Sequence, residues 1–386
     1  MSRSEDEIVQ VPEVKYPAMC ARLWHGMTTF QYLRLLARKN FRVSLRRWAM
    51  AFLITIVSLF NLVLAGLQSL IFGRRIDATK LETPPIFVVG HWRSGTTLLH
   101  ELLSLDERHT FPTTYECFAP QHFLLTTWLF PKLLWFAMPQ KRPMDSMAVG
   151  FDTPQEDEFA LVSMGSPSTY FRLAFPNDDP PYEDLYNMQH ASAELKAKFD
   201  RDLTYFFKAL TLARKKRLIL KSPTHTGRIE HLAKLFPGAK FIHISRHPFK
   251  QFSSTMQMWM IMDHIQGFQL PRYTQLQMMD YCLRTFGKMY DDGYLKQVDS
   301  LPESDRIEIR FEDLVKSPQE QIRSIYEHFG WDGIDGVCDG VERYFADRKN
   351  YKKNKHELSS EVKAQIAATC ASYMNRYGYE SPNSEQ

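Results

Sequence analysis

Residues Pro84 to Leu103, PPIFVVGHWRSGTTLLHELL, constrain the fold of this chain more than any other stretch. Ile86 to Val89 is a short apolar run of the kind that forms a buried parallel strand. Gly90 opens a turn, and Thr96 to Leu103 reads as a helix with apolar residues at Leu98, Leu99, Leu102 and Leu103. A strand, a glycine-bounded loop and a helix start bring backbone N–H groups and the positive end of a helix dipole to one point. Arg93 adds a full positive charge there. The segment is an anion cradle.

A second segment supplies more of the same sheet. Arg217 to Thr255, RLILKSPTHTGRIEHLAKLFPGAKFIHISRHPFKQFSST, holds apolar runs at Leu218–Leu220 and Phe241–Ile244. A helix-like stretch, 227–236, lies between them and ends at Pro237 and Gly238, which makes one right-handed βαβ unit. Arg246 follows the second run directly, and Ser254 stands eight residues later on the next helix. A guanidinium and a hydroxyl placed this way offer a fork of donors to phosphate oxygens. A third segment, RIEIRFEDLVKSP from Arg306, alternates Ile307 and Ile309 with charged neighbours and then turns at Glu312-Asp313-Leu314, where the acidic pair reads as structural.

Gly90-x4-Gly95 has the spacing of a nucleotide-binding P-loop, but Thr96 stands where that motif carries lysine. With Arg-Ser-Gly-Thr-Thr in its place, the loop resembles that of sulfotransferases dependent on PAPS (3′-phosphoadenosine 5′-phosphosulfate). The three segments occur in the family's order, and the resemblance covers roughly Pro84 to His356, closest to the bacterial and Golgi-like branch. It implies a P-loop-like α/β fold with a central parallel β-sheet flanked by helices. It further implies that Arg93, Ser94, Gly95, Thr96, Thr97 and Leu98 hold the 5′-phosphosulfate, while Arg246 and Ser254 hold the 3′-phosphate. A late basic run, RKNYKKNKH from Arg348, resembles the loop that closes over the adenosine, with Arg348, Lys353 and Lys355 as donors. Asn350 stands where the family's Arg-Lys-Gly has glycine, which leaves individual contacts there unassigned.

Sulfuryl transfer is an in-line displacement that builds negative charge on the oxygen of the leaving nucleotide. It needs cations or donors at that oxygen and a base for the acceptor hydroxyl. Arg93 and Lys221 are the charge-stabilising candidates, Lys221 because it closes an apolar strand at the edge beside the loop. Glu116, in TTYECFAP, is the favoured base, since Golgi sulfotransferases carry a glutamate at a similar distance past the loop. His225 is the rival, because imidazole titrates near neutral pH. His100, inside the first helix, reads as structural. No metal is called for, and no Cys/His cluster has zinc spacing. The enzymatic rival is a nucleotide kinase, against which Thr96 tells. The other rival is an inactive membrane scaffold that keeps a degenerate nucleotide site.

The chain's 386 residues suffice for one large core, read as a sulfotransferase domain over 81–386, preceded by a basic segment over 1–80. That segment holds 12 Lys/Arg against 5 Asp/Glu, a net of +7 in a chain of net +4. Trp48 to Phe72 is 25 residues without a charge, flanked by Arg46, Arg47, Arg74 and Arg75. A helix of that length could cross a bilayer core of about 30 Å. It begins too far into the chain, and runs too long, to read as a signal peptide. Yet Thr55, Ser58, Asn61, Ala65, Gln68 and Ser69 make a small and polar stripe that needs protein or headgroups against it. A spanning anchor, a helix lying on an anionic leaflet and a helix packed on the catalytic domain all fit. The five scattered cysteines and the absence of Asn-x-Ser/Thr favour a cytoplasmic, membrane-associated enzyme, with a Golgi-type type II protein as the alternative. The acceptor is a hydroxyl on a glycan, glycolipid, lipid or protein, and no nucleic-acid partner is indicated. The aromatic residues Phe123, Trp128, Phe130, Trp135, Phe136 and Trp259 could wall an apolar pocket, dock on lipid or simply fill the core.

Overall fold

The computed structural model describes residues 16, 20–137, 150–346 and 358–380. Its helices are α1 (Thr29–Ala37), α2 (Trp48–Ala78), α3 (Thr96–Leu103), α4 (Thr114–Phe118), α5 (Phe123–Thr126), α6 (Phe130–Leu133), α7 (Asp157–Ser163), α8 (Ala193–Arg214), α9 (Ile229–Leu235), α10 (Pro248–Gln266) and α11 (Gln275–Met289), followed by shorter helices toward the C-terminus. The strands are β1 (Ile86–Val89), β2 (His109–Thr110), β3 (Arg217–Lys221), β4 (Lys240–Ser245) and β5 (Arg306–Arg310), in the order β2-β3-β1-β4-β5.

Every strand pair is parallel. β1 lies in the middle, and all four of its residues are buried, as a strand covered by helices on both faces must be. Its neighbours fix the site by register: Val88 pairs with Lys221 of β3 on one side, and Val89 with His243 of β4 on the other. The C-terminal ends of β3, β1 and β4 therefore open side by side, at the crevice where ligands enter sheets of this kind. One apolar cluster, including Phe87, Leu220 and Phe241, packs against α8 through Phe207 and Leu203. A second, built on Ile86, Ile219 and Ile242, receives Leu99 and Leu103 of α3 on the other face. Chain expected as strand, helix and strand between Arg217 and Ser245 forms so, except that Pro223–Arg228 is a 3-10 turn before α9 begins.

The N-terminal segment shares this core, with the Trp24 ring 5.9 Å from Phe268 and the Tyr32 ring also 5.9 Å from it. Helix α2 belongs to a stretch, Leu45–Ala78, that is long and apolar enough to cross a membrane. In the fold it packs lengthwise on the domain, and the polar stripe is the side it buries. Asn61 Nδ2 donates to the carbonyls of His25 (2.6 Å) and Met27 (3.0 Å), and Asn61 Oδ1 faces His122 Nε2 at 3.2 Å. Gln68 Oε1 accepts from the Leu124 amide at 2.8 Å, and its Nε2 donates to the Tyr205 hydroxyl at 3.3 Å. Ser69 alone of the polar stripe is exposed, while Thr55 and Ala65 are half-buried.

Asn61→Ala strands two backbone carbonyls in a buried place. It should lower the unfolding free energy by about 1–3 kcal/mol, read as a fall in the urea midpoint with little change in slope.

Candidate active site

The loop after β1 is held in a shape that only its own sequence tolerates. Gly90 sits at φ 148°, and a Cβ there would meet the Ile244 carbonyl oxygen at 2.6 Å. Gly95 caps α3 at φ 108°, and a Cβ there would lie 2.3 Å from the Phe311 ring. Arg93 itself is at φ 66°, the left-handed region that branched and long side chains avoid. Neighbouring elements clamp the turn. The Gly90 amide donates to Thr226 Oγ1 (2.8 Å), the His91 amide donates to the Tyr290 hydroxyl (3.2 Å), and Thr255 Oγ1 donates to the Trp92 carbonyl (3.2 Å). Helix geometry then aims the first-turn amides of Thr96, Thr97 and Leu98 out of the end of α3, toward the crevice. Ser94 Oγ lies buried inside the loop with no hydrogen-bond partner among the described residues.

A second cation and a hydroxyl converge on this loop. Arg246 leaves the end of β4 and donates through Nη1 to the Arg93 carbonyl at 2.8 Å, its guanidinium stacked 4.3 Å over Phe311. Arg93 Nε donates to Ser254 Oγ on α10 at 2.9 Å. Arg93 thus meets Arg246 and Ser254, which come from one strand–helix segment more than 150 positions further along the chain.

On the other flank, Lys221 at the end of β3 is buried and donates to Glu156 Oε1 at 2.8 Å. Glu156 Oε2 accepts from the Tyr170 hydroxyl at 2.6 Å, and that hydroxyl accepts from Trp92 Nε1 of the loop at 2.8 Å. Burial first, and the Glu156 charge second, push the Tyr170 phenol well above its usual range, so it stays a donor. Trp259 packs on Trp92 with ring centroids 5.0 Å apart, which puts an aromatic wall behind the loop.

Comparisons with known proteins bear on the family and the fold. Residues 84–335 match the model of the sulfotransferase family. A relative named omega-hydroxy-beta-dihydromenaquinone-9 sulfotransferase Stf3, found in Mycobacterium tuberculosis and Mycobacterium bovis, is 40% identical over 364 residues, spanning 93% of this chain and 92% of its own. The chain belongs to the sulfotransferase family. The crystal structure of sulfotransferase STF9 from Mycobacterium avium superposes with a TM-score of 0.66 at 16% identity, covering 92% of this chain and 97% of that one. STF1 from Mycobacterium tuberculosis follows at 0.58 and 17%, covering 88% and 90%. At those identities the likeness is one of fold.

In this sulfotransferase the residues expected from sequence separate into three groups. Arg93, Ser94, Gly95, Thr96, Thr97 and Leu98 share the loop and helix start after β1, Arg246 and Ser254 are hydrogen-bonded to Arg93, and Lys221 ends the strand paired with β1. Arg348, Lys353 and Lys355 lie outside the described residues. Glu116 and His225 are occupied elsewhere. Glu116 is 1% exposed; its Oε1 is ion-paired with Arg214, and its Oε2 accepts the Thr113 amide at 2.8 Å as the third residue of a capping box. His225 is fully buried, with Nε2 2.6 Å from Asp157 Oδ2 and Nδ1 facing the Arg228 guanidinium at 2.9 Å. Each of these groups thus has both polar atoms engaged. His100 faces the Ile219 carbonyl at 3.3 Å, a structural place as expected, and Glu312 ties the His247 amide (3.1 Å) to the Tyr379 hydroxyl (3.0 Å).

Sequence reading passed over the run Gln155-Glu156-Asp157-Glu158, which the fold distributes. Glu156 meets Lys221, Asp157 meets His225 and Ser222, and Glu158 meets Arg228, Thr224 (2.9 Å) and Ser168 (2.5 Å). Three adjacent acids before an apolar helical run, FALV, were the available signal. Such a run reads as a solvated helix start, and only the fold turns it inward. Tyr170 and Tyr290 carried no motif at all.

Burial also holds His91, His122 and His243 neutral, each lowered from its ordinary value to about 4. The unfolded chain takes up these protons near pH 6.5 and the folded one only near 4, so folding stability is lost as pH falls through that window. Each residue contributes up to about 1.4 kcal/mol per pH unit. Urea unfolding at pH 7, 6 and 5 should show a steepening decline. A flat profile would mean that these imidazoles are charged in the fold.

Proposed function

We propose that this sulfotransferase moves a sulfuryl group from PAPS to the hydroxyl of a membrane-borne lipid. The observation that carries the donor assignment is the meeting of Arg93, Arg246 and Ser254 at the mouth of an amide-lined loop. Two guanidiniums, a hydroxyl and a helix start match a ligand with anionic groups at two separate positions. Ser94 Oγ, without a partner among the described residues, supplies a further donor. PAPS, when bound, supplies the activated sulfuryl group and a nucleotide leaving group. The amides of Thr96 to Leu98 and the side chains of Arg93 and Ser94 hold its 5′ end, and Arg246 and Ser254 hold the 3′-phosphate. Arg348, Lys353 and Lys355 stay assigned to the adenosine side on sequence alone. Positive charge at the reacting centre comes from Arg93 and Lys221, so the reading gives no role to a metal.

The proton of the acceptor hydroxyl goes to Glu156 in this reading, rather than to Glu116 or His225. Glu156 is the partner of Lys221, its side chain keeps 14% exposure, and it connects to the loop through Tyr170 and Trp92. In an in-line displacement the incoming hydroxyl lies across the sulfur from the departing oxygen, so this reading puts the acceptor on the Glu156 side with Lys221 against the flank of the sulfuryl group between them. The acceptor class rests on the 40% identical relative, whose name specifies a hydroxylated menaquinone derivative. A terminal hydroxyl on an isoprenoid or similar lipid is therefore favoured over a soluble glycan or a glycolipid. All five cysteines are free and buried, which suits a reducing compartment. The catalytic domain is placed at the cytoplasmic face of a membrane, with a Golgi-type lumenal arrangement as the alternative.

Calorimetry with 3′-phosphoadenosine 5′-phosphate, 5′-AMP and ATP, with and without magnesium, tests the donor site. Magnesium-free binding that needs the 3′-phosphate is expected, and preference for ATP with magnesium would replace this reading with a kinase. Arg93→Ala should weaken the 3′-phosphonucleotide by roughly 10- to 100-fold while leaving the circular dichroism spectrum unchanged.

Glu156→Gln should lower kcat by about 10²–10⁴ with little loss of nucleotide affinity. Glu116→Gln should instead lower the melting temperature. If Glu116→Gln abolishes turnover in a stable protein while Glu156→Gln does not, the base is Glu116.

A further inference from the structure

Helix α2 is amphipathic the wrong way round for a helix of a water-exposed domain. Its hydrogen-bonding residues Ser58, Asn61 and Gln68 are buried against the protein. Its opposite side carries Trp48, Phe52, Leu59, Phe60, Val63 and Leu70, exposed by 60%, 67%, 51%, 66%, 63% and 82%. With Ile56 and Leu67, also exposed, they recur at three- and four-residue steps and form one continuous stripe about 35 Å long. A soluble helix buries such a face and leaves its polar side in water. A stripe of this size in a monomer marks something that covers it.

The flanks say what that is. No charged residue interrupts the stripe, while Arg46 stands exposed before it and Arg74 and Arg75 after it. Any pairing of two copies through this face, parallel or antiparallel, would set arginines of one copy against arginines of the other. A surface of anionic headgroups neutralises both ends at once, with the apolar stripe in the acyl boundary between them. Trp48 at the start of the stripe is a residue type that settles at that boundary. The apolar surface also continues beyond α2. Helix α5 is seated on Gln68 through the Leu124 amide, and the chain that follows exposes Trp128 (70%), Leu133 (55%) and Trp135 (74%), with Lys132 exposed among them.

We infer that α2 does not cross the bilayer but lies in its plane, docking the enzyme side-on to an anionic leaflet through the Trp48–Ile71 stripe and the Trp128–Phe136 segment. A crossing would turn the other flank of α2 to acyl chains as well. That flank is bonded to the domain from the Ala51 carbonyl, which accepts from the Tyr32 hydroxyl at 3.0 Å, to Gln68. In-plane docking satisfies both sides without breaking any of these bonds. It deepens the lipid-acceptor reading above, because an acceptor that stays in the leaflet reaches such an enzyme by lateral diffusion.

The test uses the full chain added from outside to vesicles of phosphatidylcholine, with and without phosphatidylglycerol. Flotation should carry the protein with the anionic vesicles and much less with the neutral ones. Phe60→Glu, Val63→Glu and Leu70→Glu together, all at exposed positions, should cut the floated fraction at least ~10-fold. Topology is read with single cysteines at Arg46→Cys and Arg74→Cys and a membrane-impermeant maleimide, the five native thiols being buried. Labelling of both positions from outside supports the proposal, and protection of one of them overturns it in favour of a spanning helix. Absence of flotation also overturns it; a dimer that the triple substitution converts to monomer then identifies a second copy as the occupant. Calorimetric binding of 3′-phosphoadenosine 5′-phosphate should be the same in the triple variant and the wild type. Flotation without nucleotide binding in either would leave the docking intact and defeat the donor assignment instead.

Discussion

Buried charge beneath the loop after β1 is the constraint on which the rest of this structure depends. Asp157 with His225, and Glu158 with Arg228, lie fully enclosed between α7 and the 3-10 turn after β3. The Glu158–Arg228 ion pair is tolerable in such a place only with both partners present, since removal of one leaves the other charged and dry, at a cost of about 3–5 kcal/mol. The pairs therefore fix α7 against β3. That fixing sets the direction of the neighbouring residue, Glu156, and with it the Lys221 end of the crevice. The hydroxyl of Thr226, from the same turn, reaches the Gly90 amide and seats the loop. One packed ionic layer thus aligns both Lys221 and Glu156, the pair to which the proposed chemistry assigns the cation and the base.

The opposite flank of the crevice is ordered by weaker and more numerous contacts. Arg246 is gripped on its backbone by Tyr373, whose hydroxyl accepts from the Arg246 amide at 2.8 Å and donates to its carbonyl at 3.1 Å. Tyr290, at a π-helical turn after α11, bonds both the loop and His243 of β4. Turns of that kind gather at functional sites because they aim one side chain off the regular helical path. The result is a rigid wall on the Lys221 side and a hydrogen-bonded, aromatic one on the Arg246 side. Helix α2 is attached to the same domain by the same physics, since Ser58, Asn61 and Gln68 are spent inside the protein and most of its large apolar side chains are left outside.

Much of the active site was written locally and could be read in order along the chain. Arg93, Ser94 and Gly95 sit in a strand–loop–helix that defines its own geometry, and Arg246 and Ser254 are placed by a single strand and the helix after it. Lys221 was legible because it ends an apolar run whose strand has to lie beside the loop. Glu116 was a reasonable expectation on spacing, but spacing does not reveal Arg214, which comes to it from 98 positions away. His225 likewise was read as a titratable group near a strand end, without sight of the Asp157 that encloses it. Glu156 and Tyr170 were illegible, because nothing in the order of residues shows which of three adjacent acids will face a lysine 65 positions further on.

The amino-acid sequence by itself determined the parallel α/β sheet, the anion-binding loop and the cations around it, because apolar runs, glycines and the residues next to them act over a few neighbours. It also determined that Trp48–Phe72 is an uncharged helix with one polar stripe. Only the tertiary structure decided which way that stripe turns, which carboxylate meets Lys221, and which histidine is sealed away. Those outcomes depend on partners brought in from distant segments, and a buried charge or amide takes whichever partner the completed packing supplies.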